Sequence, residues 1–365
     1  MDGVGGRNCC FLARGAVRRY DAGVMQERKS ALSEPSERLQ PEGLTQQSAD
    51  SLAMPFETRL LNTILFGRNG LRAGWRVVLF VCGFVFFSAL AEIVAMLIPG
   101  SHALPLATVS SHHGLSAWAL IRGEYVAFIG MVGGFVAVML VCHQSPRVYF
   151  WTDHRWLRRI LEGLIASFTA LSILLAWMLA MHLAHVSKSG NLSTAKVLEQ
   201  GFLWGCGFLL VALFEEGTFR CFLLRTLETG FGGAARGGLS WWSAAAISSL
   251  IFGGIHWSNH GESLIGIGSA AAIGFIFCCM IRWTGSVWWA VGFHAAWDWA
   301  QTFFYGTPDS GMLPQSHWLT TTIAGSPLWT GGATGPEGSA WMLPLLVLIL
   351  TGTFLVFARG RTSAS

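Results

Sequence analysis

About eight stretches of this sequence stay apolar for the length a helix needs to cross a bilayer, roughly 20 residues. They run approximately Val77–Ile98, Tyr125–Cys142, Gly163–Leu183, Gly201–Leu224, Leu239–Trp257, Leu264–Arg282, Ser286–Tyr305 and Trp341–Phe357. In hydrocarbon, backbone N–H and C=O groups must be satisfied within the protein, and an apolar run of this length does so as a helix. The fold class is therefore all-α, a polytopic membrane helix bundle. Charged residues make up 12% of the chain, against roughly 25% in soluble domains. That excludes an ordinary soluble enzyme. Six cysteines (Cys82, Cys142, Cys206, Cys221, Cys278 and Cys279) lie in apolar runs without a C-x-x-C pair. They read as small hydrophobes, not as a disulfide or zinc framework.

Residues 1–53 are polar, lack helical periodicity and read as a disordered cytoplasmic segment. The abrupt change of composition there suggests that the native start is Met54. Residues 54–76 form an amphipathic stretch, with Leu60, Leu61, Ile64 and Leu65 among Arg59, Arg68, Arg72 and Arg76. It predicts an interfacial helix, or simply the basic flank of the first span. Residues 77–200 hold the first helices, 201–305 the chemistry-bearing core, and 306–365 an exterior loop and the last span. Gly130 and Gly134 make a G-x-x-x-G, and Ala270, Ala271, Ala272 and Gly274 a small-residue stripe; both suit close helix approach.

The net charge of +4 says little by itself, but its placement orients the chain. Arg147, Arg155, Arg158, Arg159, Arg225, Arg236, Arg282, Arg359 and Arg361 fall on one side of the spans. The other side has only Arg122, Lys188 and Lys196, and Gly306–Ala340 has no Lys or Arg. The positive-inside rule then predicts a multi-pass protein of the cell membrane with both termini cytoplasmic.

Three polar clusters interrupt the spans, and each charge inside a bilayer costs at least ~2.5–3.5 kcal/mol. Glu215-Glu216-Gly217-Thr218-Phe219-Arg220 comes first. Glu216 and Arg220 are four apart, share a helix face and can form a supporting ion pair. Glu215 points about 100° away, free to act as a general base. A structural ion pair that pins helix packing would explain Glu216 and Arg220 but not Glu215. The second cluster is Phe252-Gly253-Gly254-Ile255-His256, with Asn259 just beyond. His256 taken alone reads as an interfacial histidine. The third is His294-Ala295-Ala296-Trp297-Asp298, where His and Asp share one face in mid-span. They could ligate one metal, or Asp298 could orient the His294 ring. At 1.5 Å per residue, Glu215 and His256 lie at similar depth, with His294 closer to the arginine-rich side.

These motifs, in this order, resemble the CPBP family of CAAX-processing and bacteriocin-processing intramembrane proteases, which includes the prenyl-CAAX endopeptidases. That family's pattern is E-E-x-x-x-R, then F-x-x-x-H, then H-x-x-x-N or H-x-x-x-D. The matches here are EEGTFR, FGGIH and HAAWD, within roughly Gly201 to Tyr305. The resemblance implies a membrane endopeptidase acting on a peptide or protein substrate, with the bilayer as its other partner and no nucleic acid. It implies that Glu215 activates water with help from His256, while His294 and the fourth position stabilise the oxyanion, with Asn259 as an auxiliary. The prenyl-CAAX enzymes carry Asn where this chain has Asp298, and an ionised Asp cannot donate a hydrogen bond. That departure favours a metal, since two His and carboxylates suit Zn2+. The ligands would be Glu215, His256, His294 and Asp298, and a metal-free glutamate mechanism is the alternative. A prenylated substrate does not follow. The rival readings are a non-enzymatic membrane protein of the same fold, serving immunity or as a scaffold, and a proton-coupled transporter. An enzyme requires Glu215, His256 and His294 to face one cavity.

Overall fold

A computed structural model describes residues 64–67, 70–97, 114–188, 193–259 and 261–358. The segment 1–53, Met54, Arg359 and Arg361 lie outside them. Six helices are long and apolar enough to cross a membrane. These are α1 (Ala73–Leu97), α2 (Ala117–Cys142), α3 (Trp156–Ala180), α4 (Thr194–Gly230), α5 (Gly238–Ser258) and α6 (Leu264–Thr284). Two more apolar segments are helical but shorter. Helix α7 (Trp288–Trp299) runs on through a five-residue π turn, Ala300–Phe304. Helix α8 (Met342–Thr353) does the same through Phe354–Ala358. The expected eight spans thus become six full-length helices and two that reach only the lower limit for crossing. The chain is a multi-pass helical membrane protein.

The ends of the bundle are identified by which connections meet. At the arginine-rich end, Val287 N–H donates to Phe150 O at 3.2 Å and Trp288 Nε1–H to Trp151 O at 2.8 Å. At the other end, called distal here, β3 (Ala184–Lys188) pairs antiparallel with β4 (Leu319–Ile323). Leu115 N–H donates to Leu313 O at 2.7 Å, and Thr334 Oγ1 to Gly261 O at 3.1 Å. The connection 305–341 is therefore a folded polar cap on the bundle. Thr307, Asp309, Thr334 and Ser339 are buried within it. Reporters placed after Arg361 and within Gly306–Ala340 are expected to read opposite sides of the membrane, the first cytoplasmic. A cytoplasmic reading from the second would break this topology.

The interfacial helix expected up to Arg76 is interrupted where it is described. Phe66–Gly67 (β1) pairs with Gly70–Leu71 (β2) in a two-residue ladder, and Gly70 takes φ +82°, which glycine adopts without a Cβ clash. The G-x-x-x-G performs as its spacing implies. A Cβ on Gly134 would stand 2.8 Å from Phe80 O, so α1 and α2 approach backbone to backbone. Glu92 of α1 pairs with Arg122 of α2 at 2.7 Å, so these two charges are neutralised across the helix interface.

Candidate active site

Helix α4 carries the first cluster where its winding changes. The α-helical turns end at Glu216 and a π-helical segment spans Gly217–Leu223. Such π turns cost regular hydrogen bonding and concentrate at functional sites. Phe219 O in this segment also accepts the buried Ser248 hydroxyl of α5 at 2.8 Å, tying α5 to the turn.

The expected ion pair is present. Arg220 Nε stands 3.1 Å from Glu216 Oε2, and both side chains are fully buried. The contact is a close charge pair without hydrogen-bond alignment, and Nη1 and Nη2 find no acceptor among the described residues. The guanidinium lies instead over Phe252, 3.8 Å from the ring centroid, with Phe277 at 5.6 Å. A desolvated cation over aromatic faces is attracted by their quadrupoles. Gly274 of α6 makes room, because a Cβ there would collide with Arg220 Nη2. The small-residue stripe on α6 thus seats the guanidinium as well as a neighbouring helix.

Glu216 does more than neutralise Arg220. Its second oxygen, Oε1, accepts a hydrogen bond from His294 Nδ1 at 2.9 Å. A carboxylate can only accept when ionised, so Nδ1 carries the proton and Nε2 is turned the other way. Nε2 then lies 3.6 Å from Glu215 Oε2 and 3.4 Å from Asp298 Oδ2. One imidazole therefore links both glutamates of α4 to the aspartate one turn along α7. The depth difference expected for His294 is closed by the packing of α7 against α4.

His256 opens the short 3-10 turn His256–Ser258 at the end of α5. Its Nδ1 donates to Phe252 O at 2.7 Å, which fixes the tautomer and leaves Nε2 as a lone-pair acceptor when the ring is neutral. Glu215, His256, Asn259, His294 and Asp298 all line a single cavity of about 220 Å³. Glu216 and Arg220 sit behind its wall.

The cavity also holds acids that sequence reading missed. Glu124 of α2 lines it, as do Glu262, Asp309 and Glu337 from the distal connections. Glu124 falls one residue outside the apolar run, which starts at Tyr125, whereas the helix starts at Ala117. For Asp309 and Glu337 the available signal was that their segment has acids and no Lys or Arg. Thr302 Oγ1 donates to Asp309 Oδ2 at 2.8 Å, and Ser310 N–H to Glu337 Oε1 at 2.6 Å. Burial, with Asp309 beside it, pushes Glu337 up to about 8. Burial pushes Asp309 up to about 6, although the Thr302 hydrogen bond pulls the other way.

The side chains as placed do not make the expected zinc centre. Among the described residues no group of three or more His, Cys, Asp or Glu is arranged to hold a metal ion. His294 has its Nδ1 bonded to Glu216 and its Nε2 between two carboxylates, and His256 Nδ1 is bonded to backbone. The set Glu215, His256, His294 and Asp298 converges on one cavity without closing into one coordination shell.

Residues 197–300 match the family model described as Type II CAAX prenyl endopeptidase Rce1-like. Over that stretch the chain is similar to the Rce1-like family. The matched stretch begins in α4, ends in α7 and contains every motif residue from Glu215 to Asp298. It supports, at family level, a CAAX-type intramembrane protease. No curated protein and no solved structure matches the chain.

Proposed function

We propose that this chain is an intramembrane endopeptidase of the CAAX-processing type that hydrolyses a peptide bond with a water activated by Glu215. The observation that carries it is the convergence of Glu215, His256 and His294, from three helices, on one buried cavity. Separate helix interfaces would have favoured a scaffold.

In this mechanism a water stands between the Glu215 carboxylate and His256 Nε2. Glu215 takes one proton as the water oxygen attacks the scissile carbonyl carbon. The carbonyl oxygen becomes an oxyanion, for which the Asn259 amide, with two N–H donors and a place in the cavity wall, is a neutral donor. The C–N bond then breaks, and Glu215 returns its proton to the leaving nitrogen. His294 is a positioning residue here. Glu216 holds its Nδ1, and its Nε2 lies between the Glu215 and Asp298 carboxylates at 3.6 and 3.4 Å. Asp298, which cannot donate to an oxyanion when ionised, is given the role of orienting His294.

The experiment is a cleavage assay on a peptide library in membranes, run on wild type and Asp298→Asn with and without a chelator. Asn keeps one oxygen toward His294, so activity is expected to fall by less than about tenfold, the value of one weakened hydrogen bond. A chelator is expected to change neither form. Loss of activity on chelation, recovered by added zinc, would overturn the metal-free mechanism.

A further inference from the structure

The cavity walls carry an unusual charge balance. Six carboxyl groups face it, from Glu124, Glu215, Glu262, Asp298, Asp309 and Glu337. Among the described lining residues there is no Lys or Arg, and only His256 and His294 carry a basic group. The arginines lie elsewhere: Arg220 is behind the wall on Glu216, and Arg122 is on Glu92. The mechanism uses Glu215 and gives Asp298 a positioning role, so it leaves Glu124, Glu262, Asp309 and Glu337 without a task. Three of these four come from the distal connections and share the outer part of the cavity.

A second observation lies on the same wall. Ser269 of α6 is 3% exposed, lines the cavity and has no hydrogen-bond partner for its Oγ among the described residues. It stands two turns along α6 from Glu262, and Gly266 between them leaves the space that the Glu262 carboxylate occupies. A buried hydroxyl without a partner costs roughly 1–3 kcal/mol. A ligand that donates hydrogen bonds to it removes that cost.

We infer that the outer part of this cavity receives a Lys or Arg side chain of the substrate peptide, held by Glu262, Asp309 and Glu337 with Ser269 Oγ as a further acceptor. This rests on the reading of the site as a peptidase. An ammonium brings three donors and a guanidinium five, with no acceptor, so they suit a pocket of carboxylates and one hydroxyl. A cation also relieves the mutual repulsion of carboxylates held close together. A bare metal ion is the weaker occupant, because no three of these groups are arranged to hold one. The raised positions of Asp309 and Glu337 accord with the inference: burial favours their protonated forms, helped at Asp309 by Glu215 and Glu262 and at Glu337 by Asp309 and Glu262, while the Thr302 hydrogen bond and His294 oppose this at Asp309 and the Ser310 hydrogen bonds oppose it at Glu337. A cation should therefore bind more tightly as pH rises and these carboxyls ionise.

The test is a binding measurement, so that it does not depend on turnover. Full-length Glu215→Gln protein in detergent is titrated with fluorescent peptides of identical apolar sequence that carry either one Lys or its neutral isostere norleucine at scanned positions. At one position the Lys peptide is expected to bind at least about tenfold more tightly. That preference should grow from pH 6 to pH 8.5 and disappear in Asp309→Asn/Glu337→Gln. Equal binding of the two peptides at every position overturns the inference, as does a preference that survives the double substitution. The peptide pair needs no cap variant, so a misfolded double mutant leaves the first criterion in force. Cleavage by wild type without any Lys preference sinks this inference alone. A Lys preference without cleavage sinks the peptidase reading alone.

Discussion

Glu215→Gln is expected to abolish peptide cleavage, by about 10²–10⁴-fold, the usual contribution of a positioned acid–base group, while leaving the folded yield near that of wild type. The amide keeps the shape of the carboxylate and can still face His294 Nε2, which stands 3.6 Å from Glu215 Oε2. It cannot take a proton from water. Glu215 is also partly exposed to the cavity, and its contact with His294 is loose, at 3.6 Å, so stability has little reason to change. His256→Ala should cost activity to a similar degree, because it removes the second acceptor from the same water. Residues acting as one unit lose activity non-additively, so Glu215→Gln with His256→Ala should be little worse than either alone. Turnover is read on the best library peptide and fold by monodispersity in detergent. Full activity of Glu215→Gln would end the enzyme hypothesis.

Glu216→Ala is expected to destabilise the protein by roughly 3–5 kcal/mol, the cost of leaving a buried charge without its partner. Arg220 is fully buried, and its two Nη atoms already lack acceptors, so removing Glu216 leaves it only the faces of Phe252 and Phe277. Arg220→Ala should cost a similar amount by stranding Glu216. The double substitution should recover part of the loss, because no uncompensated charge then remains. Unfolding in mild detergent with increasing denaturant gives the ranking. A double mutant as unstable as the sum of the two singles would show that the pair is not coupled. Glu216→Ala carries a second consequence that Arg220→Ala does not. His294 Nδ1 loses its acceptor at 2.9 Å, so the ring is released beside Glu215 and activity should fall beyond what instability explains. Glu216→Gln separates the two effects: it keeps an acceptor for His294 but removes the charge facing Arg220.

The spans, the class of fold and the pairing of Glu216 with Arg220 were legible in the sequence. Each depends on short-range rules: apolar length against bilayer thickness, and the four-residue spacing that puts two side chains on one helix face. The approach of α1 to α2 through Gly130 and Gly134 was legible for the same reason, since a missing Cβ at helical spacing is written in the chain itself. Asp298 likewise shares a face with His294 by spacing alone, and their 3.4 Å contact follows. What the sequence could not give is the second use of Glu216. Whether Oε1 meets His294, 78 residues away, depends on how α7 crosses α4, and crossing geometry is set by side-chain packing summed over whole interfaces. The zinc expectation rested on donor types, which the sequence carries; the partners of those donors are tertiary, since packing turned His294 toward Glu216 and bound His256 Nδ1 to Phe252 O. The distal acids belong to the same category. Asp309 and Glu337 lie in a connection with no periodicity to read, and only the folding of 305–341 back over the bundle brings them into the wall that holds Glu215. Local spacing determined which residues could act together on one helix. The long-range contacts that close the bundle decided which of them share a cavity.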